Sequence, residues 1–160
     1  MYRKLVVTAC ASALLAVAIG GGALASAASS GGGAQPQTIT LIDKTVSQQF
    51  LDLGTKGFSV GDEFIFTSRF WNLAQTKRLG VLHAVCTADS TAGQGTAHCV
   101  GTAHLRGGTL EFAGEGSNGP LSVFAITGGT GRFIGADGQV TSRSLNSQGT
   151  VSRDTIRIVG

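Results

Sequence analysis

Proline is nearly missing from this chain, 2 residues in 160, beside 25 glycines, and charged residues make up only 13%. The proline deficit excludes a collagen-like repeat, and the low charge excludes a chain held open by self-repulsion. Aromatic residues reach only 6%, and eight of them are phenylalanine, which adds apolar area without a polar group to satisfy. Cationic excess is small: 12 Lys and Arg against 9 Asp and Glu give a net charge of +3. Arg3 and Lys4 stand at the extreme N-terminus, and without them the balance is close to even. Neither an electrostatic footprint for DNA or RNA nor a nucleic-acid partner is therefore expected. Helical periodicity is also missing, because after residue 37 no stretch repeats apolar residues at i, i+3, i+4 and i+7. The length admits one domain with an appendage.

The appendage comes first. Met1 to Lys4 supplies a short basic end, Leu5 to Leu24 carries no charge, and Ala25-Ser26-Ala27 places small residues where signal peptidase cleaves. Residues 1–27 read as a secretory signal peptide, 28–37 as a flexible Ser/Gly tail, and 38–160 as the folded domain. A membrane anchor is the competing assignment, because an apolar run of about 20 residues spans a bilayer. Gly20, Gly21 and Gly22 weaken that run as a helix and as an anchor, so no stable membrane anchor is expected. The expected destination is extracellular. Cleavage also removes Cys10 and leaves Cys86 and Cys99, an even pair in an oxidising compartment.

The rest of the chain alternates apolar and polar residues between Gly, Asn, Asp and Ser breaks, which is the pattern of strands. Expected spans are 38–45, 58–70, 77–89, 95–106, 109–116, 120–128, 132–144 and 149–158. Their short connections require antiparallel neighbours. The fold class is all-β, an eight-stranded antiparallel up-and-down β-barrel, closure being favoured over a sandwich because it removes edges that few charges protect. A tight turn over residues 91–94 would set Cys86 opposite Cys99. A disulfide is expected there, two buried thiols being the alternative. Leu82, Ala84, Ala88, Ala97, Ala103 and Leu105 would share the cysteines' face. Val81, His83, Val85, His98, Val100 and His104 would share the other, where apolar residues suit an oligomer interface.

Candidate chemistry is thin. The three histidines fall on one face, but no Cys, Asp or Glu with ligand spacing joins them, so no metal site is expected. Gly128-Gly129-Thr130-Gly131 lacks the lysine and the βαβ setting of a phosphate loop and reads as a hairpin turn; no cofactor is expected. Asp43 stands out among Ile39, Leu41 and Ile42. A carboxylate buried there would have its pKa raised and would suit acid/base chemistry, a structural hydrogen-bonded Asp being the alternative.

Gly61-Asp62-Glu63-Phe64 through Phe70-Trp71, followed by Lys77-Arg78-Leu79-Gly80-Val81 and Cys86, resembles the corresponding strands of plant allene oxide cyclases. Phe124-Ala125-Ile126-Thr127-Gly128-Gly129-Thr130-Gly131-Arg132-Phe133, continuing to Gly138-Gln139-Val140, does so too, and is similar to the Gly-Gly-Thr-Gly-x-Phe segment of dirigent proteins. The resemblance spans residues 38–158. It implies an eight-stranded antiparallel barrel that assembles as a trimer. Allene oxide cyclases close a ring on a fatty-acid-derived epoxide, with a first-strand glutamate and polar groups holding a water. This chain departs from that pattern, because Asp43 is the only acid of the first strand, Ser68 stands in place of a polar asparagine, and Cys86 matches an interior cysteine. Dirigent proteins are secreted and direct the coupling of phenoxy radicals, and related bacterial barrels hold polyketide chains for cyclisation.

Two function classes follow. In one, a secreted barrel binds an apolar small molecule, guiding its cyclisation or coupling as an isomerase or cyclase would. Asp43 is then the catalytic candidate, and Phe64, Phe66, Ser68, Phe70 and Phe124 form the ligand-binding wall. Trp71, Phe112 and Phe133 are further wall candidates, only one strand parity being able to face inward. In the other class, the phenylalanines fill the lumen and the barrel is a structural or interaction module.

Overall fold

A computed structural model describes residues 33–93 and 95–159. The expected signal peptide, most of the expected tail and Gln94 of the expected turn lie outside the described residues. Eight strands follow in order: β1 (Gln37–Leu51), β2 (Glu63–Trp71), β3 (Arg78–Ser90), β4 (Thr96–Leu105), β5 (Gly108–Ser117), β6 (Leu121–Gly129), β7 (Gly138–Ser144) and β8 (Val151–Ile158). Each pairs antiparallel with its successor, and β8 returns to β1 to close the barrel. Closure follows from the alternation: on β3, Leu82, Ala84, Cys86 and Ala88 are buried, whereas Val81, His83, Val85 and Thr87, which alternate with them, face outward and retain exposure. The expected register of β3 and β4 holds, with Cys86 opposite Cys99 and His83 opposite Thr102.

Three element boundaries differ from the expectation. β1 runs on to Leu51, past a bulge between Thr45 and Ser47. The bulge switches parity, so that Ile39, Leu41 and Asp43 point inward below it and Gln48 and Phe50 share a face with Phe66 and Phe64 above it. β2 starts at Glu63, because Gly61 takes a positive φ of 94° and the Asp62 carboxylate gathers the preceding loop. It accepts hydrogen bonds from the amides of Leu53 (2.9 Å) and Ser59 (2.6 Å) and from the Ser59 hydroxyl (3.2 Å). Phe58, expected on that strand, therefore sits in the loop. β7 starts at Gly138 and not at 132, since Gly131–Phe133 form a turn of 3-10 helix.

That turn closes one end of the barrel. Gly131 has a φ of 59°, and a Cβ there would run into the Gly107 carbonyl, so only glycine admits the chain reversal. Phe133 is 0% exposed and packs in one cluster with Ala34, Leu41, Leu110, Ala136 and Ile158. Burying a phenylalanine in this way is worth about 2–3 kcal/mol. Ala34 lies within the expected tail but is buried, and its amide donates to the Ile134 carbonyl at 2.7 Å. Arg132 stacks over the Phe133 ring at 4.7 Å and donates to Gln37 Oε1 at 2.9 Å.

Candidate functional site

The opposite end is open. A cavity of about 470 Å³ enters the lumen from the side of the β1–β2, β3–β4, β5–β6 and β7–β8 connections, within the size range of small-molecule pockets. Strands β2 to β6 supply an apolar wall containing Phe64, Phe66 and Phe70 of β2, Phe112 of β5 and Phe124 of β6. Phe112 and Phe124 meet at 5.5 Å between ring centroids, and Phe58 reaches in from the β1–β2 loop, 5.9 Å from Phe64. Room remains because β3 and β4 contribute small residues. Gly101 is one of them, and a Cβ added there would come within 2.5 Å of the Phe112 ring. Cys86 and Cys99 form a disulfide whose sulfurs line the same lumen.

The wall formed by β7, β8 and β1 is different. It presents Ser142 and Ser144 of β7, Ser152 and Asp154 of β8, and Asp43 and Thr45 of β1. Asp43 pairs with Ser152, and Asp154 with Leu41 and Ser142, so the two carboxylates are diagonal neighbours on the inner face. Asp154 is buried and its Oδ1 accepts from the hydroxyls of Ser142 and Ser152, both at 2.7 Å. Asp43 is 8% exposed and its Oδ1 has no hydrogen-bond partner. Burial raises the pKa of Asp43 to about 7, the neighbouring Asp154 adds to the rise, and a hydrogen bond from Ser68 opposes it. Burial also raises Asp154, against the two serine hydroxyls. Asp62 goes the other way: burial pushes it up, but the amides and hydroxyl that it accepts from outweigh this and hold it below the ordinary value.

The expected site residues thus separate into two groups. Asp43, Phe64, Phe66, Phe70, Phe124 and the Cys86–Cys99 disulfide lie on the lumen. Ser68 is fully buried beside Asp43, 3.4 Å from Thr45 Oγ1, and backs the wall without lining the cavity. Trp71 follows a second irregularity in the β2–β3 pairing and lies under Lys44 at 5.9 Å, away from the lumen, while Phe133 plugs the closed end. His83 and His104 meet edge to face at 5.6 Å on the outer surface. Among the described residues no group of three or more His, Cys, Asp or Glu is arranged to hold a metal ion. Sequence reasoning missed Asp154, whose signal was present: in Arg153-Asp154-Thr155-Ile156-Arg157-Ile158 the aspartate shares parity with two isoleucines and alternates with two arginines.

Acid/base chemistry is what this arrangement can supply. Two buried carboxylates that resist ionising together can hold a proton at neutral pH and exchange it with a molecule seated against the phenylalanines.

No protein-family model and no curated protein matches the chain. Solved structures do. A pyocyanin demethylase superposes with a TM-score of 0.66 at 24% identity, over 76% of this chain and 99% of that one. An exo-specific intermolecular Diels-Alderase gives 0.63 at 14% identity, over 79% and 99%. A pterocarpan synthase dirigent protein gives 0.62 at 17% identity, over 78% and 86%. At such identities the likeness is one of fold, and the chain is a closed antiparallel barrel of the architecture found in that demethylase, in Diels-Alderases and in dirigent proteins.

Proposed function

We propose that this protein is an exported barrel that binds an apolar, unsaturated small molecule in its lumen and guides a cyclisation, coupling or related rearrangement by proton exchange with Asp43. The open cavity carries this reading. Phenylalanines supply contact area along strands whose neighbours are kept small, and a carboxyl group that titrates near neutrality faces the space they enclose. Asp43 acts as proton donor or acceptor, and Asp154, fixed by Ser142 and Ser152, keeps that proton from leaving at neutral pH. The demethylase, Diels-Alderases and dirigent protein that share the fold act on small organic molecules by name, which supports the choice of substrate class.

Export is part of the proposal, with cleavage after Ala27 and the disulfide suited to an oxidising compartment. N-terminal sequencing of protein from the culture medium should begin at Ala28. Assembly is another part. Ile65, Val85, Val100, Ala113 and Ala125 stand opposite one another from β2 to β6, an apolar belt around the outside, and a self-associated trimer would cover it.

The deciding experiment is native mass spectrometry of the purified protein for retained small molecules, followed by turnover of those molecules and of epoxide or polyene analogues. Turnover that is lost in a folded Asp43→Asn variant is the expected outcome. Undiminished turnover would make Asp43 structural, and failure of any apolar molecule to bind would return the barrel to the class of interaction modules.

A further inference from the structure

The lumen has a charge inventory of unusual simplicity. Among the described residues, Asp43 and Asp154 are the only ionisable side chains on its wall, and no Lys, Arg or His lines it. The cations of the described residues lie elsewhere. Lys44, Arg69, Arg143, Arg153 and Arg157 occupy the outward parity of their strands, Lys77, Arg78, Arg106 and Arg132 gather around the closed end, and Lys56 stands exposed in the β1–β2 loop at the open end without lining the cavity. The groups packed around Asp43 from β1, β2, β8 and β7 are Thr45, Ser68, Ser152, Asp154 and Ser142. None carries a positive charge. Asp154 uses hydroxyl donors from its own wall, but Asp43 Oδ1, nine-tenths buried, receives nothing from the protein.

A buried acceptor left without a donor costs free energy unless something else supplies one. We infer that the ligand supplies it: the lumen selects molecules bearing a cationic or donating nitrogen on an apolar ring system, seated against Asp43, and rejects carboxylates and other anions. This rests on the proposed lumenal binding and narrows it. A carboxylate entering here would meet one or two like charges in a low-dielectric site with no cation to offset them. An ammonium or protonated ring nitrogen would gain a charge-assisted hydrogen bond to Asp43, in a lumen that Phe66, Phe70 and Phe124 also line and where aromatic rings favour a cation. The acidic-tailed substrate that the allene oxide cyclase resemblance implies is thereby disfavoured. Because a cation favours the ionised carboxylate, its binding releases a proton, and its affinity rises with pH until Asp43 is fully ionised.

Three probes of one ring size test this: 1-naphthylmethylammonium, 1-naphthalenemethanol and 1-naphthoate, each titrated into the disulfide-intact protein by calorimetry. The ammonium should bind at least about tenfold more tightly than the carboxylate, a difference that one lost charge-assisted contact accounts for. Its advantage over the neutral alcohol should grow between about pH 5.5 and pH 8, as proton linkage requires. In Asp43→Asn/Asp154→Asn, with the fold checked by circular dichroism, the preference for ammonium over carboxylate should vanish. If that variant does not fold, the pH series on the unaltered protein reads the same quantity. Carboxylate binding as tight as ammonium, a preference that survives the double substitution, or an ammonium advantage that does not grow with pH would overturn the inference while leaving lumenal binding intact. Failure of all three probes to bind would instead remove lumenal binding, and this inference with it.

Discussion

Asp43 carries a stability signature as well as a chemical one. Its pKa rises from 3.8 in the unfolded chain to about 7 in the barrel, so between those values the folded state holds a proton that the unfolded state has released. Stability is therefore greatest at low pH and declines as pH rises through that window, by at most about 4 kcal/mol for a shift of this size. Asp154 shifts in the same direction and adds to the slope, whereas Asp62, with its pKa lowered, acts with the opposite sign at lower pH. Urea unfolding midpoints measured from about pH 4 to pH 8 should fall, and Asp43→Asn should flatten the fall and be the more stable protein at the alkaline end. A flat profile for the unaltered chain would contradict the burial assigned to this carboxyl. Gly101 makes a second prediction. Its missing Cβ gives the Phe112 ring its seat, so Gly101→Ala should push that ring into the cavity, lower stability by about 1–3 kcal/mol and weaken binding of apolar probes. At this scale the sequence was half legible. Asp43 stands out because it interrupts a run of isoleucine and leucine, but nothing local distinguishes Asp154 from a solvent-facing aspartate until β8 is given a parity. Gly101 has no signal at all, because its neighbour Phe112 lies on another strand.

At the level of elements, β3 and β4 were the most legible part of the fold. A short turn ties their register, the cysteines mark one face, and the disulfide forms where both meet. The cross-link should stabilise the barrel by roughly 3 kcal/mol for a loop of this length. Cys86→Ala/Cys99→Ala should lose about that much in denaturant unfolding, and the unaltered protein, unfolded without reductant, should show no free thiol among residues 33–159. The misread elements have separate causes. Val46-Ser47-Gln48-Gln49 hides the upper half of β1 because a bulge switches parity within a polar run, and periodicity arguments assume that parity persists. Arg132 and Phe133 were read as the start of a strand because they suit one, yet they are turned inward by Gly131 and by the need to fill the barrel's end. Phe133→Ala should expose that need, costing about 3–5 kcal/mol by leaving a void at the closed end. Thermal unfolding would read it, and a change of under about 1 kcal/mol would show that the plug is dispensable.

For the whole molecule, the outer belt and the inner cavity lie back to back on the same strands, since Val85 and Val100 point out where Ala84, Cys86 and Cys99 point in. Val100 is 49% exposed and sits in the middle of the belt. Sedimentation at micromolar concentration should find a trimer, and Val100→Lys should give a monomer that keeps its fold, because the substitution touches no inward-facing residue. A monomeric unaltered protein would set the assembly aside. The strand count was readable from alternation and its breaks, and closure from the scarcity of charges to protect sheet edges, but which end is open was not, because that depends on how far a single phenylalanine reaches across the lumen. Its consequence is kinetic. A chamber with one doorway fills and empties through the same passage, so under the proposed turnover a departing product must clear the mouth before the next molecule enters, and the two can never queue from opposite sides. Product accumulating outside would then slow turnover by plain competition for that doorway, and a molecule longer than the chamber would be processed only at the end it inserts first.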